Sequence, residues 1–427
     1  MSPSAERALA ALHPAVRAWF TRNFATPSPP QVLGWPPIAA GKNVLILAPT
    51  GSGKTMAAFL QCLGRLYAAR ETGASLEDGV RVLYVSPLKA LNNDIHKNLL
   101  VPLEGIAREA ARLGLDPAPL RAAVRTGDTP PAERRLMARE PPSILITTPE
   151  SLCLILSSAA RAILRTVETV IVDELHALYP NKRGVHLAVS LEHLESLAGR
   201  PIQRIGLSAT VHPPAEAAAF LAGGEIAEDG SWRPRPVEIV DTGQRKELDL
   251  GVLLPAEDMA DLPEKTIWPA IERELLELIR AHRSTLVFVN NRRLAERLTA
   301  ALNERAGGTV ARAHHGSLAR ETRIEVEELL KEGRLPCLVA TSSLELGIDV
   351  GAIELVVQIE SPKEVARGLQ RVGRAGHLLN LPSKGRIIPK TRGDLLECAL
   401  IVREMRAGRV EESRTPGTAW TSWPSRS

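Results

Sequence analysis

The stretch Ala48-Pro-Thr-Gly-Ser-Gly-Lys-Thr55 has the residue types needed to hold a chain of phosphates. Gly51 and Gly53 allow turns closed to residues with side chains, so successive backbone N–H groups can aim at one anion. Thr50 and Ser52 complete the loop. Lys54 adds a point charge for β- and γ-phosphates, and the Thr55 hydroxyl is a hard oxygen ligand for Mg²⁺. The run fits G-x-x-x-x-G-K-[ST] with Ala48 replacing the first glycine. A plain glycine turn needs neither Lys nor Thr at its exit. A second stretch, Thr169-Val-Ile-Val-Asp-Glu-Leu-His176, is an apolar run ending in two carboxylates. Asp173, with Glu174 beside it, is an oxygen set for the same Mg²⁺, and Glu174 can deprotonate an attacking water. His176 alone reads as structural; next to a phosphate loop it can couple nucleotide state to other parts of the chain.

These residues need strands that end where the loops begin. Residues 43–48 form a short apolar run, the pattern of a strand buried on both faces, and residues 55–67 have helical apolar spacing. The loop therefore opens onto a helix N-terminus. Downstream, apolar strands over 81–87, 121–127, 143–149, 169–174 and 203–209 alternate with helix-period segments, the signature of a parallel sheet with helices on both faces. The beginning is helical over 5–20. Pro27, Pro29 and Pro30 then set an extended or turning path, with Gln31 placed to hydrogen-bond an adenine edge or to lie on the surface. From 223 to 265 proline and acidic residues interrupt the pattern, leaving a linker plus one strand over 235–242. Alternation resumes with helices over 268–282, 292–304, 320–332, 362–372 and 394–405, and strands over 285–290, 310–316, 337–342, 353–359 and 385–390. The fold class is α/β, with two tandem domains, 1–230 and 231–412, and a tail over 413–427. The second domain lacks a phosphate loop of its own.

Bulk properties agree with a globular chain. The 427 residues are 44% hydrophobic, with a net charge of +4 and only 3% aromatics. No apolar run of membrane-spanning length is present, and the N-terminus has no secretory pattern. The four cysteines are scattered without a C-x-x-C pair, which reads as reduced thiols in a cytoplasmic protein. The slight basicity is compatible with nucleic acid without pointing to it.

Asp173-Glu-Leu-His176 resembles the DExH box of superfamily 2 helicases, and other motifs of that superfamily follow in order. Gly206-Leu-Ser-Ala-Thr210 resembles its Ser-Ala-Thr motif, which places His176, Ser208 and Thr210 in coupling. Ser86-Pro-Leu-Lys89, Arg125-Thr-Gly127 and Thr148-Pro149 resemble its backbone-gripping motifs. Asn290-Asn-Arg292, His315-Gly316 and Thr341 are similar to their counterparts in the second domain. Lys89, Arg125 and Arg292 equally suit solvated surface charges. The segments holding Gly347 and Asp349, and Gln370-Arg371-Val-Gly-Arg374-Ala-Gly-His377, resemble the two motifs that close on the nucleotide. Lys182-Arg-Gly-Val-His186 and the terminal Arg-Ala-Gly-His are most similar to the large helicase-related (Lhr) family, over residues 20–410.

The resemblance implies an ATP-dependent helicase acting on single-stranded and duplex nucleic acid, DNA before RNA or hybrids, with 3′-to-5′ polarity. The alternative is a truncated module that hydrolyses ATP and binds single strands but unwinds weakly. ATP and Mg²⁺ are its cofactors. Gln31 becomes an adenine reader, Gln370 faces the nucleotide, and Arg374 is the arginine finger supplied in trans. The Lhr pattern has His377 where a second finger is usual, and Arg371 is either a finger or a salt-bridged structural residue. The tail over 413–427 reads as a disordered end or a shifted reading frame. Back-translated from Gly417 and shifted, it resembles the Asn-Pro-Leu-Asp-Val-Leu-Ala-Gln run that follows the helicase domains in this family.

Overall fold

The computed structural model describes residues 2–414 except 50, 77, 88–98, 117–119, 210, 244–245, 257–265, 346–352 and 377–381. Thr50, Lys89, Thr210, Gly347, Asp349, His377 and the tail from 415 onward thus lie outside the described residues. The chain forms two compact units, 1–244 with 412–427, and 245–411.

The first unit is built on strands β1 (Asn43–Leu47), β2 (Val82–Val85), β3 (Ala122–Arg125), β4 (Ile144–Thr147), β5 (Thr169–Val172) and β6 (Gln203–Ser208), followed by a β7 (Gly224–Ile226) and β8 (Trp232–Pro234) hairpin and by β9 (Val237–Asp241). The main sheet runs β3-β4-β2-β5-β6-β1-β9, and all its pairings are parallel. Strand side chains alternate between two cores. Val44, Ile46, Tyr84 and Ile146 enter one cluster; Leu45, Leu47, Leu83 and Leu145 enter the other. A period of two with apolar residues on both faces requires helices on both sides, and these supply the rest of each cluster.

The second unit contains β10 (Leu248–Val252), β11 (Thr285–Phe288), β12 (Ala311–His314), β13 (Cys337–Ala340), β14 (Leu355–Ile359) and β15 (Ser383–Ile388). Its parallel sheet runs β10-β15-β14-β11-β13-β12. Leu286, Phe288 and Val356 face one core, and Val287, Val289 and Val357 the other.

Four sequence expectations change. The boundary placed near 230 falls at 244/245, because β9 pairs along its whole length with β1 and extends the first sheet. The helix over 5–20 is two helices, Pro3–Ala10 and Pro14–Asn23. His13 caps the second, and Pro14 cannot continue the first because it lacks an N–H. The path expected to turn near Gln31 is instead helix Pro29–Ala39; Pro29 and Pro30 occupy its first turn, where a missing N–H costs nothing. Strand β10, which the sequence left in the linker, pairs with β15. Of the tail, Ser413 folds back onto the first unit: its N–H donates to the His212 carbonyl, and its own carbonyl accepts from the Tyr179 hydroxyl at 2.9 Å.

Candidate functional site

The phosphate loop leaves the C-terminal end of β1 and enters helix Lys54–Glu71. Gly51 and Gly53 adopt φ of +79° and +87°, a region costly for residues with a Cβ. Gly53 is also confined: a Cβ there would lie 3.0 Å from both the Gln31 Nε2 and the Ser28 Oγ. Gln31 is therefore packed on the loop. Its Oε1 accepts the Ser28 N–H at 2.8 Å, leaving its NH₂ to donate toward the loop side. Ser52 and Lys54 are buried, with Lys54 Nζ 3.5 Å from the Pro49 carbonyl.

Asp173 and Glu174 follow β5, two strands from β1. The Thr55 hydroxyl lies 3.4 Å from Asp173 Oδ2, and the Tyr84 hydroxyl donates to the same oxygen. The Glu174 N–H donates to Asp173 Oδ1 at 2.7 Å. Glu174 itself sits at φ +49°, an uncommon conformation for a residue with a side chain and one that clusters at functional sites. His176 connects this turn to β6. Its Nδ1 accepts the Ala209 N–H at 3.2 Å and lies 3.1 Å from Ser208 Oγ. The ring proton thus belongs on Nε2, which lies 3.5 Å from Glu174 Oε2. One imidazole spans the Asp-Glu turn and the Ser-Ala segment.

Burial, reinforced by the adjacent Glu174 carboxylate, pushes Asp173 up to about 6; Lys54 and the Tyr84 hydroxyl pull the other way. Two neighbouring acids in a buried pocket with a lysine and a threonine hydroxyl fit a hard divalent cation bound with phosphates. They also give a test without nucleotide. The folded chain holds the Asp173 proton more tightly than the unfolded chain, whose value is near 3.8, so stability falls as pH rises from about 4 through about 6. Wild type should lose more stability across that window than Asp173→Asn, measured as the urea midpoint at successive pH values. Parallel curves would remove the assignment.

Three further residues end the strands on the other side of β5. Val85 pairs with Thr147, and Thr147 with Arg125, so Ser86, Arg125 and Thr148 stand side by side. Thr148 caps helix Pro149–Leu156 by accepting the Ser151 N–H. Burial and the nearby Arg134 lower the Arg125 pKa, and its Nη1 has no hydrogen-bond partner among the described residues. Arg134 braces the turn by donating to the Thr126 and Gly127 carbonyls. The Pro87 carbonyl accepts from Arg183, which also pairs with Glu150. A helix N-terminus and a cation at one end of the sheet suit phosphodiesters.

In the second unit Arg371 is buried and fully engaged. It pairs with Glu345, donates to Gln358 and to Asn290 Oδ1 at 3.3 Å, and lies 5.2 Å over the Phe288 ring. Its guanidinium ties helix Val365–Val372 to Glu345, Gln358 and Asn290. Arg374 is also buried and donates to the Glu345 carbonyl at 2.7 Å. Gln370 is half-buried on helix Val365–Val372. Asn290 further binds the Ser361 carbonyl, Arg292 contacts Ser317, and His315 Nε2 meets Glu296 at 3.0 Å. Gly316 is exposed, and the Thr341 N–H donates to the His314 carbonyl. Tyr84 and Arg134 went unread in the sequence, because a tyrosine in a buried strand looks like core and a helix arginine like surface.

The DEAD/DEAH box helicase family matches residues 28–218, and the helicase conserved C-terminal domain matches residues 270–378. The Lhr helicase/probable uracil glycosylase of Mycolicibacterium smegmatis is 50% identical over 94% of this chain and 28% of its own length. The ATP-dependent helicase Lhr-Core of Methanothermobacter thermautotrophicus is 46% identical over 95% of this chain and 47% of its own. A solved structure of the Mycobacterium smegmatis helicase Lhr bound to ssDNA and AMP-PNP superposes with a TM-score of 0.86 at 51% identity, over 96% of this chain and 52% of that one. The class is thus the two-domain core of a superfamily 2 DExH-box helicase, with two tandem RecA-like domains. Within that class, the chain belongs to the large helicase-related (Lhr) family. It spans less than half the length of these two curated relatives.

Proposed function

We propose that this chain couples ATP hydrolysis to movement along single-stranded DNA and to duplex unwinding, with 3′-to-5′ polarity, in the cytoplasm. One observation carries the reading. A single parallel sheet holds Lys54, Thr55, Asp173 and Glu174 at the ends of β1 and β5, and Ser86, Arg125 and Thr148 at the ends of β2, β3 and β4. Phosphate chemistry and strand grip therefore share one rigid frame, joined on the hydrolytic side by His176. The Lhr relative solved with ssDNA and AMP-PNP favours DNA and ATP.

Bound Mg²⁺ would neutralise charge developing on the phosphate oxygens. It would be held by Thr55 and Asp173, with Glu174 beside it. Lys54 and the loop N–H groups hold the β- and γ-phosphates, and Gln31 donates to the base. Glu174, oriented by His176, takes the proton of the attacking water. Arg374 supplies charge to the transition state in trans, with Gln370, Gly347, Asp349 and His377 completing that surface; Arg371 anchors the segment that carries it. Pro87, Lys89, Gly127 and Pro149 join the strand grip in the first unit, Asn290, Arg292, His315, Gly316 and Thr341 in the second. Ser208 and Thr210 pass the nucleotide state on.

Arg374→Ala should leave ATP affinity within a few-fold and lower kcat about 10²-fold. Loss of nucleotide binding instead would make Arg374 structural. The deciding experiment compares ATP turnover with and without single-stranded DNA, then strand displacement on duplexes with 3′ or 5′ overhangs. Stimulated turnover with displacement only from the 3′ overhang is expected. Displacement only of RNA–DNA hybrids would move the assignment to hybrids; turnover indifferent to any strand would overturn it.

A further inference from the structure

Among the described residues, Lys246 is an amine without an acid. It is half-buried, and burial alone pushes it down to about 8; no carboxylate among the described residues pairs with it. Its Nζ donates instead to the Ala375 carbonyl at 2.6 Å. The same oxygen accepts the hydroxyl of fully buried Ser383 at 2.8 Å. The Ser383 N–H in turn donates to the Glu247 carbonyl at 2.8 Å, closing a ring of contacts through the residue next to Lys246. The rest of this peptide segment is fixed too. The Ala375 N–H reaches the Val372 carbonyl, and the Gly376 N–H reaches the Ile353 carbonyl, both at 2.9 Å, with Gly376 at φ +61°. Ala375 directly follows Arg374, whose guanidinium is tied to the Glu345 carbonyl.

Desolvating an ammonium for a neutral acceptor is unfavourable, and Ser383 already gives that carbonyl one hydrogen bond. A cation kept there despite the cost marks a position where the backbone must not slip. A charge-assisted hydrogen bond is about twice as strong as a neutral one, so Lys246 dominates the clamp. Resting on the proposed role of Arg374, we propose that Lys246 is a positioning residue for the reaction. Its ammonium pins the Ala375 carbonyl and so fixes the backbone from which Arg374 projects toward the transferred phosphoryl group.

The test uses the full chain and single-strand-stimulated ATP turnover. Lys246→Met keeps the length of the stem and removes the donor; Lys246→Arg keeps a cationic donor. Lys246→Met should lower kcat about 10-fold with KM for ATP within about 2-fold, and Lys246→Arg should recover most of the loss. Combined with Arg374→Ala, it should cost nothing further, because a residue acting through Arg374 has no effect once that side chain is gone. Thermal melting of Lys246→Met alongside wild type separates clamp from scaffold. Undiminished kcat, or a loss that adds in full to that of Arg374→Ala, would overturn the positioning role while leaving the helicase reading intact. Absence of turnover in wild type would instead overturn the helicase reading.

Discussion

Glu174→Gln is expected to reduce single-strand-stimulated ATP hydrolysis by about 10³- to 10⁴-fold, at the upper end of what a positioned general base contributes. The side chain is well placed for a clean test. It is 8% exposed, its backbone is held at φ +49° by the Asp173 carboxylate, and its Oε2 is 3.5 Å from a histidine nitrogen that carries a proton. Glutamine keeps the volume and can still accept from that nitrogen, so the turn should keep its shape. What it cannot do is take a proton. ATP affinity should hold or rise, since one negative charge leaves a pocket built for phosphates. Equilibrium binding of a fluorescent ATP analogue, measured beside kcat, reads both. Unchanged kcat would strip Glu174 of the role and leave Asp173 to be examined in its place.

Lys54→Ala should lower kcat/KM for ATP by at least about 10³-fold, through weaker nucleotide binding as well as slower turnover. Lys54 is 5% exposed at the first position of helix Lys54–Glu71, aimed into the loop rather than at a carboxylate bound at ordinary distance. Lys54 is the single lysine of the 48–55 loop. Alanine is the best helix former and should leave the helix intact. Single-stranded DNA binding without nucleotide should therefore persist, because Ser86, Arg125 and Thr148 lie across β5 on the same sheet. The measurement pairs ATP turnover with DNA binding by fluorescence anisotropy. Normal turnover in Lys54→Ala would end the phosphate-loop reading; loss of DNA binding along with turnover would point to a collapsed first unit.

The sequence by itself determined the chemistry that is local in the chain. The loop from Ala48 to Thr55 needs only its own glycines, lysine and threonine, and the strand before it and helix after it are written in neighbouring residues. Asp173, Glu174 and His176 are likewise adjacent, so their order was legible, and short apolar runs marked twelve of the thirteen strands in the two main sheets. The tertiary structure decided whatever depends on residues far apart. The sequence left β10 in a linker because its strand is short and flanked by polar and proline residues; only the open edge of β15 makes it a strand. Strand β9 could have opened the second domain, but its backbone pairs with β1, and backbone hydrogen bonds carry no residue code. Tyr84 on Asp173, Gln31 against Gly53 and Glu345 around Arg371 are side-chain meetings across 89, 22 and 26 positions. Composition says that such residues are present; only packing density and the need to satisfy buried polar groups say which ones meet.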